Sequence, residues 1–79
     1  MDTRPTAYLS IHKGIFKVSI HPGYIVQDSS LCKIGIQAAE GGRDLREYDV
    51  IGRPPITSAQ VHALKNFNKL KLESLALTH

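Results

Sequence analysis

Cysteine is almost absent from this chain: Cys32 is the only one in 79 residues. No disulfide can form within it, and a lone thiol fits a reducing compartment better than secretion. Long apolar runs are missing too. The longest are three residues, as in Tyr24-Ile25-Val26, far short of the ~20 that a membrane-spanning helix needs. Lys13, Lys17, His12 and His21 interrupt residues 1–30, which excludes the continuous apolar core of a secretory leader. The expectation is a soluble cytoplasmic protein with no membrane partner.

Catalytic signatures are also lacking. There is no Gly-x-Ser-x-Gly elbow and no phosphate-binding glycine loop. His12, His21, His62, His79 and Cys32 are the soft metal ligands, and none stands at a Cys-x-x-Cys or His-x₃-His spacing. No cofactor, metal or catalytic residue is therefore assigned, and a non-enzymatic role is expected. A chain this short also buries only about 60–65% of its unfolded surface, and small domains seldom enclose a substrate pocket.

Two short segments near the start alternate apolar and polar residues, which is strand periodicity. They are AYLSIH (7–12) and IFKVSI (15–20), with Lys13-Gly14 between them. A two-residue loop sets Ala7 opposite Ile20, Leu9 opposite Val18, Ile11 opposite Phe16 and His12 opposite Ile15. One face then holds Leu9, Ile11, Phe16, Val18 and Ile20. The other holds Tyr8, Ser10, His12, Lys17 and Ser19. A one-residue slip would destroy that sorting, so the register is well specified.

His21-Pro22-Gly23 reads as a turn into a third strand, YIVQ. Asp28-Ser29-Ser30 reads as another turn. LCKIGIQA (31–38) then reads as a strand with Cys32, Ile34 and Ile36 on its core side. Glu40-Gly41-Gly42-Arg43 is a turn signal. It leads to DLREYDVI (44–51), whose dense charge suits an edge strand.

IGRPPITSAQVHAL (51–64) admits two readings. Gly52-Arg53-Pro54 resembles a basic arm for the minor groove of DNA. Only 22 residues follow Thr57, too few for the two or three helices such an arm normally precedes. The structural reading explains more letters. Thr57 and Gln60 form a capping box, Ile56 and Val61 a hydrophobic staple, and Pro54-Pro55 an extended approach. A helix over about 57–67 follows, with Asn66 and Asn68 as stop residues. Leu70, Leu72, Leu75 and Leu77 alternate with polar residues and favour a final strand over 69–77.

The expected fold is α+β: an antiparallel meander of four to five strands with one helix on a face. A flexible N-terminus (1–6) precedes a single domain (7–79). The expected function is a small non-catalytic binding or regulatory protein, of accessory-regulator or inhibitor type, docking on a protein or nucleoprotein partner. Its candidate contacts are Arg43, Arg46, Glu47 and Asp49 on the charged strand, and Leu70, Leu72, Leu75 and Leu77 in the tail. The leucine excess also admits a homodimer. The alternative is direct binding of DNA or RNA through Arg53, Lys65, Lys69 and Lys71. Tyr8, His12 and Lys17 on the wet face could then stack and pair with unpaired bases.

Overall fold

The computed structural model describes residues 4–78. The fold is α+β, with a mixed four-stranded sheet and two helices. β1 (Thr6–His12), β2 (Ile15–Ile20) and β3 (Tyr24–Asp28) form an antiparallel meander. α1 (Leu31–Glu40) follows, then a 3-10 turn (Leu45–Glu47), β4 (Asp49–Gly52) and α2 (Ser58–Leu77). The strand order is β3-β2-β1-β4. Of the frayed end expected over 1–6, residues 1–3 lie outside the described residues. The Pro5 carbonyl accepts from the Asp49 amide at 2.9 Å, and Thr6 opens β1.

The hairpin has the register its alternation specifies, from Ala7↔Ile20 through His12↔Ile15. Lys13 and Gly14 both take positive φ, 51° and 78°, the geometry of a two-residue turn that matches strand twist. Ala7, Leu9, Val18, Ile20 and Val26 are buried on one face. They meet Ile34 and Ala38 of α1, Leu45 of the 3-10 turn and Leu64 of α2.

Four expectations are corrected. First, β4 runs parallel to β1, with Ala7↔Val50 and Tyr8↔Ile51, so the sheet is not purely antiparallel. β3 and β4 run in the same direction at opposite edges. Such a return needs a crossover of about a dozen residues or more, usually helical.

Second, residues 31–38 supply that crossover as α1 and are not a strand. Ser30 caps the helix, its Oγ accepting from the Lys33 amide. The helix stops where Arg43 N–H reaches Ala38 O and Gly42 N–H reaches Ala39 O, with Gly42 at φ 79°, a glycine-closed helix end. Cys32 thus sits half-buried in the first turn of a helix. Third, residues 44–51 divide into a 3-10 turn and the short β4. Asp44 caps that turn by accepting from the Arg46 amide.

Fourth, the helix beginning at Thr57 does not stop at Asn66 or Asn68 but continues to Leu77. No strand forms over 69–77. The start is as the letters specify: Gln60 N–H donates to Thr57 Oγ1 at 3.2 Å and Thr57 N–H to Gln60 Oε1 at 2.9 Å. Once the chain is helical, Lys, Leu, Glu and Ala in the tail all propagate it. Asn68 is fully buried and spends its side chain on tertiary hydrogen bonds. α2 packs along α1, and both helices lie on the buried side of the sheet.

Candidate functional site on the uncovered face of the sheet

With both helices on one side, the other face of the sheet is left to solvent. The period-two alternation puts Ile25 and Gln27 of β3 on this face. Ile15, Lys17 and Ser19 of β2 join them, with Thr6, Tyr8, Ser10 and His12 of β1 and Asp49 and Ile51 of β4. The pairings arrange these residues in rows. Ile25, Ser19, Tyr8 and Ile51 lie side by side. In the next row Gln27, Lys17 and Ser10 are neighbours. Arg53 N–H donates to Leu9 O at 2.9 Å, which continues the line of β4 and brings Arg53 beside Ser10.

Several large side chains stay open here. Ile25 is 62% exposed and Ile51 42%, and Tyr8 and Ile15 are exposed as well. The Arg53 guanidinium folds back to 4.5 Å from the centroid of the Tyr8 ring, a cation–π contact. A shallow concavity beside this pair is lined by Ser10, His12, Lys13, Ile15, Lys17 and Gln27. Lys13 and Lys17 thus stand at the hairpin end of the face, and the Arg53 guanidinium lies over Tyr8 toward its middle. Among the described residues the one carboxylate on the face, Asp49, starts β4 at the other end. Asp28 stands in the opposite pleat and accepts from the Ser30 amide.

The candidate contacts from the charged segment do not form a strand surface. Arg43 is half-buried, with its guanidinium 4.9 Å from the Tyr24 ring centroid. Arg46 and Glu47 are exposed on the 3-10 turn, and Asp49 begins β4. Arg46 grips Asp44 through Nε, which donates to Oδ1 at 2.9 Å and Oδ2 at 3.2 Å, and through Nη2, which donates to Oδ2 at 2.8 Å. That side-chain bond holds the Asp44 carboxyl below its usual range, against a smaller opposing effect of burial. An acid whose folded pKa is depressed stabilises above its unfolded pKa, and the gain is lost as pH falls through the folded value. Asp44→Asn should therefore be less stable than the parent at neutral pH. The gap should close as pH falls below the ordinary aspartate range, as followed by thermal melts.

The tail leucines are spread around α2. Leu77 is 88% exposed and Leu70 53%, whereas Leu72 and Leu75 are half-buried. The basic residues of the nucleic-acid alternative are divided as well. Lys71 faces α1, 3.9 Å from Glu40. Lys65 borders a concavity with Val61 and His62, and Lys69 is exposed. Arg53 lies over Tyr8 on the sheet face. Among the described residues, no group of three His, Cys, Asp or Glu is placed to hold a metal ion, and no helix is long and apolar enough to cross a membrane. His79 lies outside the described residues.

The chain matches no family model, no curated protein and no solved structure. The site is therefore defined by geometry alone. Sequence periodicity placed Tyr8, His12 and Lys17 together on one face. It missed the arrival of Ile51 and Arg53, because that depends on β4 lying parallel to β1. The signal for it was the spacing itself: a helical crossover between two edge strands returns the chain in the same direction.

Proposed function

We propose that this protein is a small non-catalytic binding module that docks a macromolecular partner on the uncovered face of its sheet. The carrying observation is the row Ile25–Ser19–Tyr8–Ile51, flanked by Lys17 and Arg53. A domain this small has little apolar surface to spare, yet three large side chains of that row face water. The concavities on the face are open and shallow, which suits an extended partner better than an enclosed substrate.

Tagged protein used to recover its partner from host extract tests this reading. Tyr8→Ala combined with Ile51→Ser should cut recovery about tenfold, corresponding to the ~1.4 kcal/mol of one modest contact centre. Circular dichroism should stay native. Arg46→Ala with Glu47→Ala, and Leu70→Ser with Leu77→Ser, probe the 3-10 turn and the helical tail. Full recovery by the sheet-face variant, with loss in either of the other two, would move the docking surface off the sheet.

A further inference from the structure

We infer that the partner taken on this face is a single strand of nucleic acid, stacked on Tyr8 and Arg53 and held along its phosphates by Lys13, Lys17 and Arg53. The inference rests on the docking reading and names its occupant. Three observations carry it. The first is charge: Lys13 and Lys17 stand at the hairpin end of the face and Arg53 lies over Tyr8 toward its middle, while the one carboxylate on the face among the described residues, Asp49, starts β4 at the far end. A polyanion running from Lys13 and Lys17 to Arg53 meets no carboxylate on that path among the described residues.

The second is the Tyr8–Arg53 pair. Unpaired bases are recognised by stacking on aromatic rings and on guanidinium planes. Here the guanidinium lies on the Tyr8 ring, its Cζ 4.5 Å from the centroid, so the ring backs a guanidinium plane whose outer side is offered to a base. Tyr8 sits mid-strand between Ser19 and Ile51, so the sheet fixes where its ring leaves the backbone. The Arg53 backbone is tied to β1 through its bond to Leu9 O. Its guanidinium can cover a base with its plane and donate to a phosphate from its edge.

The third is the polar row beside the stack. Ser10 and Gln27 flank Lys17, and His12 lines the same concavity. These side chains offer donors and acceptors to the edges of bases that are not engaged in a duplex. Neighbouring strands lie about 4.8 Å apart. The four-residue row Gln27–Lys17–Ser10–Arg53 thus spans roughly 14 Å, long enough for a few nucleotides. A duplex presents no free base faces to Tyr8 and gains only the phosphate contacts.

Fluorescence anisotropy with labelled homopolymer 12-mers of RNA and DNA, single-stranded and annealed, tests the inference on the full chain. Single strands should bind at 50 mM salt, and duplex at least tenfold more weakly. With three phosphate contacts, log K should fall with log salt at a slope of about −2 for a single strand. Tyr8→Ala should weaken binding roughly tenfold, while Tyr8→Phe, which keeps the ring, should restore it. Lys17→Gln and Arg53→Gln should each lower the slope by about 0.7. A preference between the RNA and DNA arms would identify which strand is the natural one.

Absence of binding by every oligonucleotide at 50 mM salt would overturn the inference. So would binding that survives Tyr8→Ala and Arg53→Gln but is lost with Lys65→Gln and Lys69→Gln, which would place the strand on α2. The two levels of the proposal fail differently. If sheet-face variants lose the host partner, but recovery by the parent survives nuclease and no oligonucleotide binds, the occupant is a protein. The nucleic-acid inference then falls while the docking reading stands. If sheet-face variants recover the partner in full, the docking reading falls and takes the inference with it.

Discussion

Asn68→Leu should destabilise the domain by about 3 kcal/mol, although leucine is close to asparagine in size and more apolar. Asn68 is fully buried on α2. Its Oδ1 accepts from the Leu45 amide at 2.9 Å. Its Nδ2 donates to Arg43 O at 3.0 Å and to Gly35 O at 3.2 Å. One side chain thus ties α1, the loop after it and the 3-10 turn to α2. Leu45 is itself fully buried, so its amide has no route to water once the asparagine is gone. An unsatisfied buried donor costs about 1–3 kcal/mol, and two carbonyls lose a donor at the same time.

Urea denaturation measures the loss as a shift in midpoint at unchanged slope. Asn68→Ala removes the same hydrogen bonds and adds a cavity, so it should cost more than Asn68→Leu. If Asn68→Leu stays within about 0.5 kcal/mol of the parent, packing alone accounts for the site and the hydrogen bonds are incidental.

Asn68 also shows why parts of this fold were hard to read. As a letter, asparagine near the end of an apolar stripe signals a helix stop, because it tolerates the left-handed cap. Its function here is set by Gly35, Arg43 and Leu45, more than twenty residues away, and no local window contains them. The segment 31–38 failed in a related way. Cys32, Ile34 and Ile36 give a strand's period, while Leu31, Ile34, Gly35 and Ala38 give a helix's. Eight residues support both periods. The choice falls to the parallel return of β4 along β1, which needs a helical crossover.

The legible elements were those decided by short-range chemistry. The hairpin register follows from two alternating runs and a two-residue loop, and every expected pair is present. The start of α2 follows from Thr57 and Gln60, which satisfy each other's amides within one turn. The face proposed for docking was legible to the same extent. Tyr8, His12 and Lys17 belong to the hairpin and were sorted by its alternation. Ile51 and Arg53 lie more than thirty positions further along the chain and reach the face through β4.

Gly35→Val should cost about 3 kcal/mol or more, from overpacking where the two helices cross. A Cβ built on Gly35 would stand 2.9 Å from Phe67 Cβ, 3.0 Å from the Asn68 nitrogen and 3.1 Å from Leu64 O. Two of those three atoms are backbone of α2, so no rotamer change can make room. The helices would have to part, and Asn68 would lose its reach to Gly35 O. Gly35→Ala is the sharper comparison. Alanine gains about 0.5–1 kcal/mol of helix propensity, yet the same Cβ contacts remain, so a net loss of about 1–2 kcal/mol is expected. A gain in stability would show that the helices are not held at this distance by Gly35. Because Gly35 and Asn68 share one contact, Gly35→Ala with Asn68→Ala should cost less than the two single changes added together. The crossing lies on the covered side of the sheet, away from Tyr8, Lys17 and Arg53. A Gly35→Ala protein that is still folded at the assay temperature should therefore bind the single-stranded 12-mer as the parent does, separating the residues that hold this domain together from those proposed to give it a partner.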